Sequence, residues 1–173
     1  TDTEAYFATM SLADLKRVTY LRLDKSKVQS THNQNNFLEI GKGNILKNGF
    51  DYSIISSGSI TEVALNASDT LEKSGISCQV ISMHTIKPID EKLIENCVNN
   101  FKGIITLEEG NISGGMGSAL LEACERLGKF PPKIKILGIN NSFVSVVGSQ
   151  EFLRNSVGLT QEMIVNIILE WNL

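Results

Sequence analysis

Beyond residue 36 the apolar positions follow two alternating periods. Short runs dense in β-branched and large apolar residues occur at DYSIISS (51–57), SCQVISMH (77–84), GIITLE (103–108) and KIKILGI (133–139), and each predicts a strand. Between them, apolar residues recur every three or four positions. In 59–74, Val63, Ala67 and Leu71 line up with Ile60 and Ala64, which predicts a helix stopped by Gly75. Asp90 suits the cap of a helix reaching Val98, and another helix is predicted from about Gly115 to Leu127. Pro131 and Pro132 break the chain before KIKILGI. Two short helices close it, at about 149–155 and 160–171, with Thr160 and Glu162 suited to the start of the second. The stretch NILKNGFDYSIISSG predicts a hairpin turning at Lys47-Asn48-Gly49, which adds one antiparallel edge strand. The pattern therefore predicts an α/β three-layer sandwich: a mostly parallel sheet of about five strands, one antiparallel edge strand, and helices on both faces.

The first 36 residues read differently. Residues 2–15 predict a helix with Asp2 as its N-cap, and VTYLRL (18–23) predicts a strand. Residues 24–36, DKSKVQSTHNQNN, are polar throughout and read as a linker, which puts a boundary near residue 36.

Composition narrows the function classes. The 173 residues are 42% hydrophobic and 20% charged, with a net charge of −3 and no basic block, so neither nucleic acid nor a membrane is expected as a partner. No apolar run approaches the length of a membrane span, and no basic-then-apolar leader opens the chain. Three cysteines, Cys78, Cys97 and Cys124, without CxxC spacing argue against a disulfide framework or structural zinc, and a cytoplasmic location is expected. Only His32 and His84 are present, far apart in sequence, so no metal site is expected.

Candidate chemistry gathers where strands end. Gly114, Gly115 and Gly117 precede a helix, whose first N–H groups could hold an anion. The spacing GGxG lacks the lysine of a P-loop and the GxGxxG of a dinucleotide site, so these glycines are read as relieving crowding between helix and sheet. Glu108 and Glu109 could serve a cation, a partner or acid/base chemistry; the plainer reading has one glutamate capping the next loop and the other facing water. His84 and Lys87 follow another strand end, within HTIKPID. No triad surrounds His84, so a packed or interfacial role is expected. Ser57 lies in Ser56-Ser57-Gly58-Ser59, read as an N-cap sequence. The cysteines are read as core residues. No catalytic residue is assigned.

The motifs in order are more specific than any alone. FLEIGKGNILKNG, DYSIISSGSITEVALNASDTLEKSGISCQVISMHTIKPIDEKLI, GIITLEEGNISGGMGSALLEA, KILGINNSF and VGLTQEMIV together resemble the C-terminal domain of the transketolase family, over about residues 37–168. The similarity is greatest to the C-terminal subunits of split transketolases; deoxyxylulose-phosphate synthases and pyruvate dehydrogenase beta subunits share the domain less closely. The resemblance implies three segments: 1–25 as the tail of a preceding pyrimidine-binding domain, 26–36 as a linker, and 37–173 as the transketolase C-terminal-like domain. It also implies a parent enzyme that transfers a two-carbon ketol unit between sugar phosphates. Its thiamine diphosphate and divalent metal (Mg or Ca) would be held by other domains or a thiamine-binding subunit. This chain, inactive alone, would serve assembly and the rim of the substrate channel, in a homodimer.

Three departures from the family pattern stand out. Lys25 occupies the place of an arginine that helps bind substrate phosphate, Gly110 that of a histidine after the paired glutamates, and Asn140-Asn141-Ser142-Phe143 that of an aspartate-bearing loop. Ser57, His84, Lys87, Glu108, Glu109 and Gly110 are the candidate ligand or interface residues. The alternatives to an enzyme domain are a binding or regulatory module for a phosphorylated ligand and a purely structural dimerisation domain.

Overall fold

The computed structural model describes residues 2–24 and 38–173. Its elements follow in the order α1 (Asp2–Ala13), β1 (Asn44–Lys47), β2 (Tyr52–Ser57), α2 (Thr61–Lys73), β3 (Cys78–Ser82), α3 (Glu91–Asn100), β4 (Ile104–Asn111), α4 (Met116–Leu127), β5 (Ile134–Ile139), α5 (Gln150–Ser156) and α6 (Gln161–Trp171). The five strands form one sheet in the order β1-β3-β2-β4-β5. All neighbouring pairs are parallel except β1 with β3. The predicted architecture is therefore present.

Strand alternation feeds two cores. Tyr52 and Ile54 of β2, Val80 of β3, and Ile105 and Leu107 of β4 face α2 and α6, where they meet Ala64, Leu71, Ile164 and Ile168. Ile55, Ile81 and Ile104 project to the other face, against Ile94 and Cys97 of α3 and Leu120 and Cys124 of α4. Each such aliphatic side chain contributes about 1.5–3 kcal/mol relative to exposure, which makes the sheet with its four helices the rigid frame of the molecule. Cys78, Cys97 and Cys124 are buried free thiols, as read from the sequence.

The hairpin is not there. β1 and β2 are not partners; they flank β3, with Ile45 opposite Ile81 on one side and Ile54 opposite Val80 on the other. The Lys47-Asn48-Gly49 segment instead carries the chain across the start of β3. A Cβ on Gly49 would sit 2.2 Å from the backbone of Cys78 and Gln79, so glycine is there to let two backbones cross, not to close a tight turn. Three successive amides, of Phe50, Asp51 and Tyr52, point to the Ser77 carbonyl at this crossing.

The predicted strand at 18–23 is also absent: residues 14–24 form neither helix nor strand. Val18, Tyr20 and Leu23 are exposed, and no strand among the described residues lies beside them to complete a ladder. A sequence with β propensity still needs a partner strand before it can pair its N–H and C=O groups. Helix α1 already includes Asp2, and Glu4 on it accepts a 2.9 Å hydrogen bond from the Ser82 hydroxyl at the end of β3. The linker at 26–36 lies outside the described residues. Elsewhere Asp90 and Thr160 cap as expected, accepting from the amides of Leu93 and Met163 at the starts of α3 and α6, and Ser149 accepts from the Phe152 amide at the start of α5.

Candidate functional site at the carboxyl ends of the strands

Because β2, β3 and β4 run parallel, their carboxyl ends come together on one rim of the sheet. In an open α/β sheet this is where ligands are usually taken. Ser57, His84, Glu108, Glu109 and Gly110 all lie on this rim or just past it.

Glu108 is 8% exposed, and its carboxylate reaches the start of α4. Oε2 accepts from the Met116 amide at 2.8 Å and Oε1 from the Gly117 amide at 2.9 Å. The positive end of α4 and its unpaired N–H groups thus hold an anion supplied by the chain itself. The glycines around it divide the work. A Cβ on Gly115 would lie 2.3 Å from Glu108 Oε2, so only glycine leaves the carboxylate its path. A Cβ on Gly117 would lie 2.5 Å from Ile136 Cγ2, which is the helix-against-sheet crowding expected from the sequence. Gly114 has φ +77°, the left-handed region, and its amide donates to Ser118 Oγ at 2.9 Å.

Glu109 faces a different neighbourhood. Arg154 of α5 grips it with a fork, Nε to Oε1 at 2.8 Å and Nη2 to Oε2 at 3.1 Å. Gln150 Nε2 donates to Oε1 at 3.0 Å, and Ser59 Oγ lies 2.9 Å from Oε2. Ser59 also receives Arg154 Nη2 at 2.9 Å and meets the carboxylate of Asp24. Two sequence expectations change here. Glu109 does not simply face water: its side chain is 25% exposed and ion-paired to Arg154, which is 14% exposed. Nor does Ser59 cap α2. The N-cap is Ile60, without a side-chain cap bond, and Ser59 is drawn into the Glu109 cluster, where a guanidinium and two carboxylates offer stronger partners than a neutral amide.

The remaining candidates are dispersed. Ser57 is half-buried and stands opposite Glu108 in the β2–β4 register. Its neighbour Ser56 is the buried one, 2.9 Å from Thr61 Oγ1 and 3.1 Å from the Ile81 carbonyl. His84 is half-buried, with Nδ1 2.9 Å from Thr85 Oγ1. Lys87 is exposed, precedes a cis proline peptide at Pro88, and lines an open groove of about 840 Å³ with Lys42, Lys92, Gly114, Gly115 and Arg126. Gly110 lies where the β4–β5 register breaks between Leu107 and Asn111, and a Cβ there would sit 3.2 Å from Glu108 Oε2. Lys25 lies outside the described residues.

Sequence reading missed Asp24, Gln150 and Arg154 as members of this rim. Nothing local marks them, since their partners in the Ser59–Glu109 cluster lie 35 to 126 residues away in sequence. The thiols offer no nucleophile. Burial pushes Cys78 up to about 12 and Cys97 up to about 11, and raises Cys124, so all three stay protonated near neutrality. The one glycine-flanked helix start proposed from the sequence is filled by Glu108. Among the described residues, no group of three metal-ligating side chains gathers.

Residues 41–164 match the family model for the transketolase C-terminal domain. The chain belongs to this family. The transketolase C-terminal domain seen here is 34% identical over 162 residues to a putative transketolase C-terminal section of Methanocaldococcus jannaschii, covering 92% of this chain and 50% of that protein. It is 35% identical over 131 residues to a 1-deoxy-D-xylulose-5-phosphate synthase of Bacillus velezensis, covering 76% of this chain and 20% of that protein. Among solved structures, a split-gene transketolase described as an inactive beta4 tetramer superposes with a TM-score of 0.86 at 29% identity, over 94% of this chain and 52% of that one. The chain thus spans between a fifth and a half of these curated relatives. Among the described residues, no helix is long and apolar enough to cross a membrane.

Proposed function

We propose that this chain is the C-terminal part of a thiamine-diphosphate-dependent, transketolase-like transferase that moves a two-carbon ketol unit between sugar phosphates. In this reading the cofactor and its divalent metal are bound by the other portion of the enzyme, and this chain supplies assembly and the rim of the substrate channel. The observation that carries it is the segment 18–23: a β-prone sequence with exposed Val18, Tyr20 and Leu23 that has no sheet among the described residues of its own chain. Such a segment suits the last strand of a pyrimidine-binding domain lying outside these residues, with 26–36 as the linker behind it. Lys25, just past that strand, would offer substrate phosphate a point charge without the bidentate fork of arginine. Ser57, His84, Lys87, Glu109 and Gly110 would face the channel or the partner portion. The split-gene relative, about half of whose chain this domain covers, is described as an inactive beta4 tetramer, and self-association of that kind is in keeping with a homodimeric parent. A cytoplasmic location accompanies this reading.

Calorimetry tests it. The purified chain should bind no thiamine diphosphate with magnesium present, and ketol transfer should appear once the thiamine-binding portion is supplied. Tight, metal-dependent binding by this chain alone would overturn the assignment. A second reading, a module that takes a phosphorylated ligand, draws on Lys87 and Lys92 in the groove, where Lys42 and Arg126 are paired with Asp90 and Glu91 and Glu122 adds a further carboxylate. It requires that sugar phosphates raise the thermal midpoint of the chain by itself, because a ligand bound to the folded state stabilises it.

A further inference from the structure

Two pieces of the molecule are held with little help from the core. Helix α5 is seven residues long and buries none of them. The segment 14–24 has no regular structure, and its apolar residues Val18, Tyr20 and Leu23 are exposed. Loosely packed elements of this kind open most easily in a folded protein. Yet both end on the same side chains. Gln150 Nε2 lies 3.3 Å from Asp24 Oδ2, 3.1 Å from Ser59 Oγ and 3.0 Å from Glu109 Oε1, while Arg154 reaches Ser59 and both oxygens of Glu109. Ser59 and Glu109 belong to the rigid frame, at the ends of β2 and β4; Gln150 and Arg154 belong to α5; Asp24 closes the N-terminal segment.

We infer that Ser59, Glu109, Gln150 and Arg154 form a polar latch that fastens the segment ending at Asp24 and helix α5 together onto the carboxyl ends of the strands. The chemistry suits fastening. The guanidinium–carboxylate fork is fixed in both distance and direction, and each partner side chain is three-quarters or more buried. The Ser59 hydroxyl accepts from Arg154 and Gln150 and has one hydrogen to give to either carboxylate, so it joins Asp24 to the Glu109–Arg154 pair. The loop 140–149, which presents exposed Phe143 and Val147, runs directly into Gln150. The latch therefore sets that loop and the 18–23 segment from one base. The latch stands on this geometry alone; that it fixes how the thiamine-binding portion sits on the domain rests on the reading proposed above.

Crosslinking in the full chain tests it. Leu23→Cys with Glu151→Cys places thiols beside Asp24 and Gln150 and leaves every latch side chain intact. The native cysteines are buried and will not compete. A flexible bis-maleimide should join this pair at least about tenfold faster than Leu23→Cys with Lys129→Cys, which lies beyond the far end of α4, because the latch raises the effective concentration of the two thiols. Adding Asp24→Ala or Arg154→Gln should remove most of that advantage. Asp24→Ala alters an exposed segment outside the core, so its thermal midpoint should stay near that of the parent protein and exclude unfolding as the cause. Equal rates for the two thiol pairs, or rates indifferent to both latch variants, would overturn the latch. Neither result would alter the cofactor titration, so the two readings fail separately.

Discussion

Glu108 and Glu109 are neighbours at the end of one strand, yet they hold different parts of the molecule by different means. Glu108 turns inward to the α4 side, loses nearly all contact with water, and satisfies two backbone amides at the helix start. Glu109 turns to the opposite side, keeps part of its hydration, and holds the side chains of a helix that buries no residue of its own. The pleat separates them: consecutive residues of a strand point to opposite faces. One glutamate belongs to the folding of the frame, the other to attachment of what lies on it. Their mutational costs should differ accordingly.

Glu108→Ala should have the largest effect. It leaves two buried amides unsatisfied and removes the charge opposite the α4 dipole, a loss of about 3 kcal/mol, read as a lower midpoint in urea. Equal costs for Glu108→Ala and Glu109→Ala would break the contrast between the two residues. Gly115→Ala comes next, at about 2 kcal/mol, because the new methyl group would meet both Glu108 Oε2 and the Asn111 carbonyl. Combined with Glu108→Ala it should cost less than the sum of the two, since one of the clashes has gone. Strict additivity in that double variant would show that the glycine does not serve the glutamate.

Arg154→Gln should cost about 1 kcal/mol, the scale of a partly exposed ion pair, with the loss shrinking in high salt. Glu108→Ala should show no such salt dependence, because its contacts are to buried amides. The smallest effect is expected at the other end of the sheet. There Lys102 Nζ, 2.7 Å from Asp51, and the Ser77 amide at 2.9 Å hold the Asp51 carboxyl below the ordinary carboxylate range. A lowered value in the folded state stabilises the fold above about pH 4, where the unfolded carboxyl is also ionised, and that contribution is lost as pH falls through the lowered value. The stability gap between the parent protein and Asp51→Asn should therefore narrow below about pH 4 in acid titrations followed by circular dichroism. A gap that widened on acidification would contradict the direction of the shift.

Much of this was legible along the chain. The alternation of strand and helix periods marked every strand and helix of residues 44–171, and Asp90 and Thr160 announced the helix starts that they cap. The motifs HTIKPID and EE-x4-GG-x-GSA, taken with the rest of the order, pointed to the family that residues 41–164 match. Local reasoning failed where a residue had two plausible partners. Asn48-Gly49 has the sequence of a hairpin turn, but β3, some thirty residues further on, pairs with β1 and separates it from β2. VTYLRL has the composition of a strand, but a ladder needs a second strand. Ser59 has the composition of a cap, but Arg154 and Glu109 lie within reach once α5 has folded back.

The sequence by itself determined the element types, the two-faced sheet and the family, because periodicity, caps and motif order are local properties of the chain. Only the tertiary structure decided strand adjacency, the occupant of the α4 start and the fate of each glutamate. Those depend on which groups meet across tens of residues, and on the rule that a polar group taken from water must find a partner wherever the fold places one. At the glycine cluster the partner was the chain's own Glu108, which made an apparent anion site into a piece of the frame.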